Sequence, residues 1–215
     1  MKKSLELLGR YFILMRKVFT KPDRRSIFFK QFFTDVEKLV IDSIPIVAII
    51  SLFIGAVIVI QTASNIESPF IPKMYVGYMA REILVLEFCS TMIALILAGK
   101  VGSNISSEIG SMRISEQIDA MDMMGVNSAN YLILPKIAAS TVFNPLLMLF
   151  SFMLGLVGGA MIILFTGIVT MSQYVDGLHY AFRSYYIFYS MIKMSVFSFV
   201  ITSISSFYGY NASGG

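Results

Sequence analysis

The chain has 215 residues, 56% hydrophobic and 14% charged, with a net charge of +4 and a mean hydropathy of +0.75. Soluble domains carry roughly 25% charged residues, and here ten basic residues (Lys2, Lys3, Arg10, Arg16, Lys17, Lys21, Arg24, Arg25, Lys30 and Lys38) precede position 40 while 44–63 has no ionisable side chain. A water-soluble globular domain is excluded in favour of an all-α integral membrane protein, and a basic N-terminus beside apolar spans reads as a membrane-surface segment with no nucleic-acid role.

In chain order, Leu5, Leu8, Phe12, Met15 and Phe19 recur at steps of three and four with Arg10, Arg16 and Lys17 on the other side. This spacing predicts an amphipathic helix lying in the membrane interface. Glu6 and the basic residues interrupt the continuous apolar run that a secretory signal needs. Pro22-Asp23 marks a break before a second, phenylalanine-rich segment at 26–41. Residues 1–43 are therefore a cytoplasmic and interfacial region, and 44–215 the transmembrane domain.

Residues 44–63 and 83–99 each approach the roughly 20 residues that cross about 30 Å of hydrocarbon, the second with Glu87 near its start. The stretch 133–165 is longer than one crossing needs. It forms either one long helix kinked at Asn144-Pro145 or a tight hairpin of two short ones. The last span is 186–208, where the stem of Lys193 can snorkel to an interface or occupy a protein cavity. With one crossing through 133–165, thirteen basic residues fall on the side of 1–43 and 100–136. Three (Lys73, Arg81 and Arg183) fall on the side of 64–82 and 166–185, which places the N-terminus in the cytoplasm. The hairpin would move only Arg183.

The polar connection 100–136 contains the signals of a short helix of about nine residues: Ser115 as its cap, Glu116 in the first turn and Gly125 as its stop. Ile118, Met121 and Met124 would share one side, with Glu116, Asp119 and Asp122 as an acidic rim. So short a helix is marginal alone, so it docks either on the underside of the membrane domain or on a partner. Gly99-Lys100 fails the phosphate-loop pattern, because Ala94 stands where its first glycine belongs and Val101 where Ser or Thr belongs. One cysteine, Cys89, and one histidine, His179, give no metal-ligand set. Gly155 and Gly159 permit close helix approach. Glu82 and Glu87 stand at the entrance to a span, where a carboxylate is expensive unless it meets water, a cation or a polar cavity. Glu82 is accordingly either a functional group or the partner of Arg81 or Lys73.

The succession Arg81-Glu82-Ile83, Leu97-Ala98-Gly99-Lys100-Val101-Gly102-Ser103, Glu108-Ile109-Gly110-Ser111-Met112-Arg113, Glu116-Gln117-Ile118-Asp119-Ala120-Met121 and Met124-Gly125-Val126-Asn127 resembles the signature of the MlaE-type permeases. These are the membrane subunits of lipid-transporting ABC systems that work with MCE-domain proteins. Phe53-Ile54-Gly55 with Gln61, Pro135-Lys136, and Gly209-Tyr210-Asn211-Ala212 extend the resemblance over nearly the whole chain. It implies a multi-pass protein of the bacterial inner membrane that moves phospholipids or related lipids as a homodimer. It further implies an MCE-domain protein on the periplasmic side and an ABC ATPase beneath each copy. ATP and Mg would bind that ATPase, with no cofactor and no catalytic residue in this chain.

By the same resemblance the short helix is a coupling helix, with Arg113, Glu116, Gln117, Asp119 and Met124 at the ATPase contact. A lipid pocket between two copies is expected at Ile58, Gln61 and Glu82, and 133–165 is expected to be a single kinked helix. Where the family continues Leu-Gly-Pro after Arg-Glu, this chain has Ile83-Leu84-Val85, which implies a more regular helix there. The family also has a fifth span after the Gly-Tyr-Asn-Ala turn, whereas this sequence stops at Gly215, leaving four transmembrane helices. The alternative from the residues alone is an ATP-independent secondary transporter or channel. Such proteins keep ionisable or broken-helix sites near the bilayer midplane, and 44–63 has no charge.

Overall fold

The structure is a computed structural model that describes residues 2–21, 25–66 and 70–212. The break expected at Pro22-Asp23 and the chain end at Gly215 lie outside them. The described residues form helices α1 (Lys2–Val18), α2 (Arg25–Leu39), a 3₁₀ turn (Ile41–Ser43), α3 (Ile44–Asn65) and α4 (Met74–Ile83). A π-helical turn (Leu84–Phe88), α5 (Cys89–Ile114), α6 (Gln117–Met123), α7 (Ser128–Thr166), α8 (Met171–His179) and α9 (Tyr185–Tyr210) follow. Four continuous runs are long and apolar enough to cross a membrane: Arg25–Asn65, Met74–Ile114, Ser128–Thr166 and Tyr185–Tyr210. Hydrocarbon offers no partner to a free backbone N–H or C=O, so a crossing segment must satisfy them within its own helix.

The runs exceed the expected spans. The apolar stretch 83–99 is the middle of a 41-residue helical run, about 60 Å long at 1.5 Å per residue. Composition marks the part suited to hydrocarbon, and the helix continues past it at both ends. The segment 133–165 is one helix, α7, passing through Pro135 and Pro145, and the hairpin is eliminated. Helix α1 matches its expected position, but its apolar stripe splits: Leu14, Met15 and Val18 are buried, whereas Leu5, Leu8 and Phe12 stay exposed beside Arg16 and Lys17. Two helices, α4 and α8, occupy segments expected to be connections. Helix α8 opens with a reciprocal cap, the Gln173 N–H donating to Thr170 Oγ1 and the Thr170 N–H to Gln173 Oε1.

Contacts divide the chain into two compact units, Met1–Ser43 with Ile96–Asn144 and Ser195–Gly215, and Ile44–Leu95 with Pro145–Met194.

In the first unit, α5 and α9 meet along a seam of small residues. Gly102, Ser106 and Gly110, spaced by four, face Ser205 and Gly209. The Ser106 hydroxyl donates to the Ser205 carbonyl at 2.8 Å, and a Cβ on Gly209 would lie 2.9 Å from the Ser106 carbonyl oxygen. The apolar core of this unit includes Leu39, Leu97, Ile105, Ile109, Ile118 and Ile133.

In the second unit, α3 and α7 approach still more closely. The hydroxyls of Ser51 and Ser151 are hydrogen bonded at 2.6 Å. A Cβ on Gly55 would overlap the Gly155 carbonyl, and one on Gly158 would overlap the Leu52 carbonyl. One turn on, a Cβ on Gly159 would come within 2.7 Å of Val59 and of the Tyr174 hydroxyl. Gly155 and Gly159 therefore serve contacts within the chain. Helices α4 and α8 cross in the same way, Gly77 against the Tyr174 backbone and Gly177 against Met74. Tyr174 is buried there and donates to the Leu156 carbonyl at 3.1 Å. Burial pushes its phenol up to about 12, so it remains a donor at neutral pH.

Forcing a methyl between two backbones costs typically about 1–3 kcal/mol. Gly55→Ala and Gly158→Ala should lower the thermal unfolding midpoint in detergent, while Gly99→Ala, with nothing within 4 Å of the added carbon, should leave it unchanged. Equal midpoints for Gly55→Ala and Gly99→Ala would show that α3 and α7 are not packed backbone to backbone.

Candidate functional site

The segment joining α5 to α7 is built around one backbone reversal. The Ser115 hydroxyl donates to the Ser111 carbonyl at 2.8 Å and so closes the end of α5. It does not cap α6, as the sequence suggested; Glu116 takes that place in a left-handed conformation, φ 59° and ψ 12°, with no side-chain cap. Helix α6 therefore has seven residues rather than nine. Its end matches the expectation: Gly125 has φ +78°, its N–H donates to the Asp122 carbonyl and the Val126 N–H to the Met121 carbonyl. That pair of bonds satisfies the last carbonyls of the helix, and glycine adopts the required backbone without a Cβ penalty.

Helix α6 is fastened at both ends from within the chain. Arg113 Nη1 donates to Asp119 Oδ1 at 2.6 Å and the guanidinium lies 5.9 Å from the centre of the Tyr210 ring. Asp122 accepts from the Ser128 hydroxyl at 2.6 Å, and that hydroxyl lies 2.9 Å from the Tyr210 phenol oxygen. Ile118 is buried and Met121 half-buried, but Met124, expected on the same side, is 72% exposed and its neighbour Met123 84%. The surface comprises Glu116, Gln117, Asp119, Ala120 and Asp122 with this methionine tip. Immediately after α6, Asn127 and Asn130 turn back to the end of α1. Asn127 Nδ2 donates to the Lys17 carbonyl at 3.1 Å, and Asn130 Nδ2 to the Val18 and Thr20 carbonyls, both at 2.7 Å.

In the second unit, Arg81 is 3% exposed and its donors are committed. Nη1 donates to the carbonyls of Leu178 and Tyr180 at 2.5 and 3.1 Å, and Nη2 to Glu82 Oε1. The guanidinium also lies 5.2 and 5.4 Å from the ring centres of Tyr78 and Phe182. A cation at these carbonyls complements the negative C-terminal end of α8. Glu82 therefore has the partner named among its alternatives, Arg81. The cleft beside it is lined by Arg81, Glu82, Val85, Phe182, Arg183, Tyr186 and Ile187 and measures about 10 Å³, about room for one water. Ile58, 3% exposed, packs inside the chain, and Gln61 is exposed near the end of α3. Neither lines that cleft.

Directly after Glu82 the helix continues, as the substitution of Leu-Gly-Pro implied, but as a π turn at Leu84–Phe88. Two side chains of α9 attend its carbonyls: Ser190 Oγ donates to Val85 at 2.5 Å and Lys193 Nζ to Leu86 at 3.1 Å. Lys193, half-buried, is thereby anchored on the π turn. Sequence reasoning also missed a buried ion cluster in the first unit, where Lys136 Nζ donates to Asp35 Oδ1 at 2.9 Å and to Glu108 Oε2 at 2.7 Å. The spacing of Glu108 and Lys136 carries no local signal, and only the packing of α2, α5 and α7 joins them.

Replacing Arg81 by Met leaves Glu82 and two carbonyls of α8 without a donor, and should cost about 2–3 kcal/mol of stability. Glu82→Gln should cost clearly less, since both carbonyls keep Arg81. Thermal unfolding of the two variants checks this; a larger loss for Glu82→Gln would mean that the arginine is not anchored on α8.

A family model described as Permease MlaE matches residues 32–215. A probable ABC transporter permease protein of Rickettsia bellii is 27% identical over 217 residues, covering 100% of this chain and 83% of that protein. The intermembrane phospholipid transport system permease protein MlaE of Haemophilus influenzae is 28% identical over 206 residues, or 95% of this chain and 78% of its own length. A probable ABC transporter permease of Rickettsia prowazekii is 29% identical over 173 residues, and the chain spans 66% of it.

Proposed function

Since the chain belongs to the MlaE permease family, we propose that it is the membrane subunit of an ABC transporter that moves phospholipids or related lipids. In this reading two copies pair in a bacterial inner membrane with their N-termini in the cytoplasm. An ATPase that binds ATP and Mg docks beneath each copy, and an MCE-domain protein receives or delivers lipid on the periplasmic face. The observation that carries the coupling part is α6. A seven-residue helix would not persist in water by itself, yet here both its ends are tied to the chain while an acidic and methionine-tipped surface is left outward. Methionine adapts its shape to a partner, and Glu116, Gln117, Asp119 and Met124 are available to it. Arg113 acts as the brace that orients Asp119.

The lipid-facing part rests on α3. Its exposed residues Ile46, Ile49, Phe53, Val57 and Ile60 recur at three and four and end at Gln61, whereas Ile58 lies on the face that packs inside the chain. This reading puts the apolar wall shared by two copies at Phe53 and Val57, supported by their exposure on α3, with Gln61 and Glu82 toward its polar end.

Two measurements test this reading. The double variant Glu116→Lys/Asp119→Lys should lose most copurifying ATPase while membrane insertion survives, because a reversed charge pair costs a few kcal/mol at an interface. Met123→Ser/Met124→Ser, which disturbs no hydrogen bond of the loop, should weaken it as well. Undiminished ATPase recovery in both would exclude α6 as the docking element. Val57→Glu should reduce the phospholipid that copurifies with the complex by placing a charge against acyl chains, more than Glu82→Gln does; equal lipid in Val57→Glu and the unaltered protein would place the wall elsewhere.

A further inference from the structure

One face of α2 lines a cavity of about 430 Å³ in the first unit, within the roughly 300–1,000 Å³ of small-molecule sites. Ile27, Lys30, Gln31, Thr34 and Lys38 recur there at steps of three and four. The cavity also reaches Tyr131 of α7 and the buried cluster of Asp35, Glu108 and Lys136. Within that cluster the charges are largely spoken for. Lys136, its side chain 5% exposed, bridges both carboxylates, and Lys38 stands 3.8 Å from Glu108 Oε1. Lys30 is exposed and pairs with no carboxylate among the described residues. Three lysines against two carboxylates leave the cavity one positive charge in excess.

A second, independent feature is Gln31. Its side-chain oxygen is buried and has no hydrogen-bond partner, a state that proteins avoid unless something absent from the chain completes it. An amide can present either its oxygen or its NH₂ group, so it can meet a phosphate oxygen or a donor attached to the same ligand. An excess lysine and an uncommitted amide on one helical face, over a cluster that is already neutralised, are the groups that hold a monoanionic phosphate.

We propose that this cavity binds the phosphate-bearing head group of a membrane phospholipid, with Lys30 and Gln31 as its principal contacts. The lipid source is favoured over a soluble phosphate by what α2 does next. Its other side exposes Phe29 and Phe33, and the run continues through the turn Ile41–Ser43 into the charge-free α3. That continuity of the chain with a membrane-crossing helix is the ground for assigning the cavity to lipid phosphates in place of a soluble anion. The site does not depend on the transport reading, because a resident lipid would occupy it equally well.

The test uses the full chain purified in detergent and titrated with dioleoylphosphatidylglycerol, with dioleoylglycerol or with inorganic phosphate, following the thermal unfolding midpoint. Phosphatidylglycerol should raise the midpoint and dioleoylglycerol should not. The half-saturating concentration should rise about fivefold in Lys30→Ala and further in Lys30→Ala/Gln31→Leu, stay near the original in Lys30→Arg, and be unaffected by Arg16→Ala on α1. Gln31→Leu removes an unpartnered polar atom, so the fold should survive it. An unchanged half-saturation in the double variant would overturn the site. An equal loss in Arg16→Ala would reduce it to diffuse surface charge, and a full midpoint shift with inorganic phosphate alone would overturn the lipid assignment.

Discussion

Apolar side chains gain nothing by leaving lipid tails for one another, so a bundle of transmembrane helices must be held by close packing and by polar contacts between helices. In this chain that condition is met by removing side chains. Where α3 crosses α7, Gly55, Gly155 and Gly158 bring backbone against backbone, and the Ser51–Ser151 hydrogen bond stands at the same crossing. The pairing of α5 with α9 repeats the solution with Gly102, Ser106 and Gly209. Buried leucines and isoleucines fill the space around these seams, but the glycines and serines set how near the helices can come.

Much of the architecture could be read from residue order because it depends on local rules. Hydropathy located all four crossing runs, the three-and-four spacing located α1, and Gly125 stopped α6 where a left-handed residue was needed. Contiguous apolar stretches underestimated helix length, because 100–113, rich in glycine and serine and a poor helix former by propensity, is held helical by packing its small residues Gly102, Ser106 and Gly110 against α9, which hydropathy does not count. Helix α8 also carries a local signal, Thr170 and Gln173 at capping-box spacing, which hydropathy alone passes over because 166–185 is too polar to read as a span. Ser115 misled because a hydroxyl able to start one helix can equally end another by bonding back to a carbonyl four residues earlier.

The rest was out of reach because it is made between distant segments. Arg81 is determined by the carbonyls of Leu178 and Tyr180, almost a hundred residues away, and Lys136 by Asp35 and Glu108. Charges so buried contribute little net stability, since desolvation offsets much of their attraction, yet losing one partner is costly. Such clusters hold an arrangement in place more than they strengthen it. Here the arrangement includes α6, because Glu108 lies two turns before its start and Lys136 two turns into the helix that follows.

The π turn at Leu84–Phe88 accommodates one residue more than an α-helical turn would. An α-helix advances about 100° per residue, so that extra residue sets the azimuth of everything on its outer side relative to α5. Without it, Arg81 and Glu82 would swing about a quarter turn around the helix axis and Arg81 would lose the end of α8. A surplus residue of this kind is not confined to one place, because it can pass along a helix as carbonyls exchange partners one by one. Ser190 and Lys193, bound to the carbonyls of Val85 and Leu86, act as a detent against such migration, and α9 thereby determines which way the outer end of its neighbour is turned.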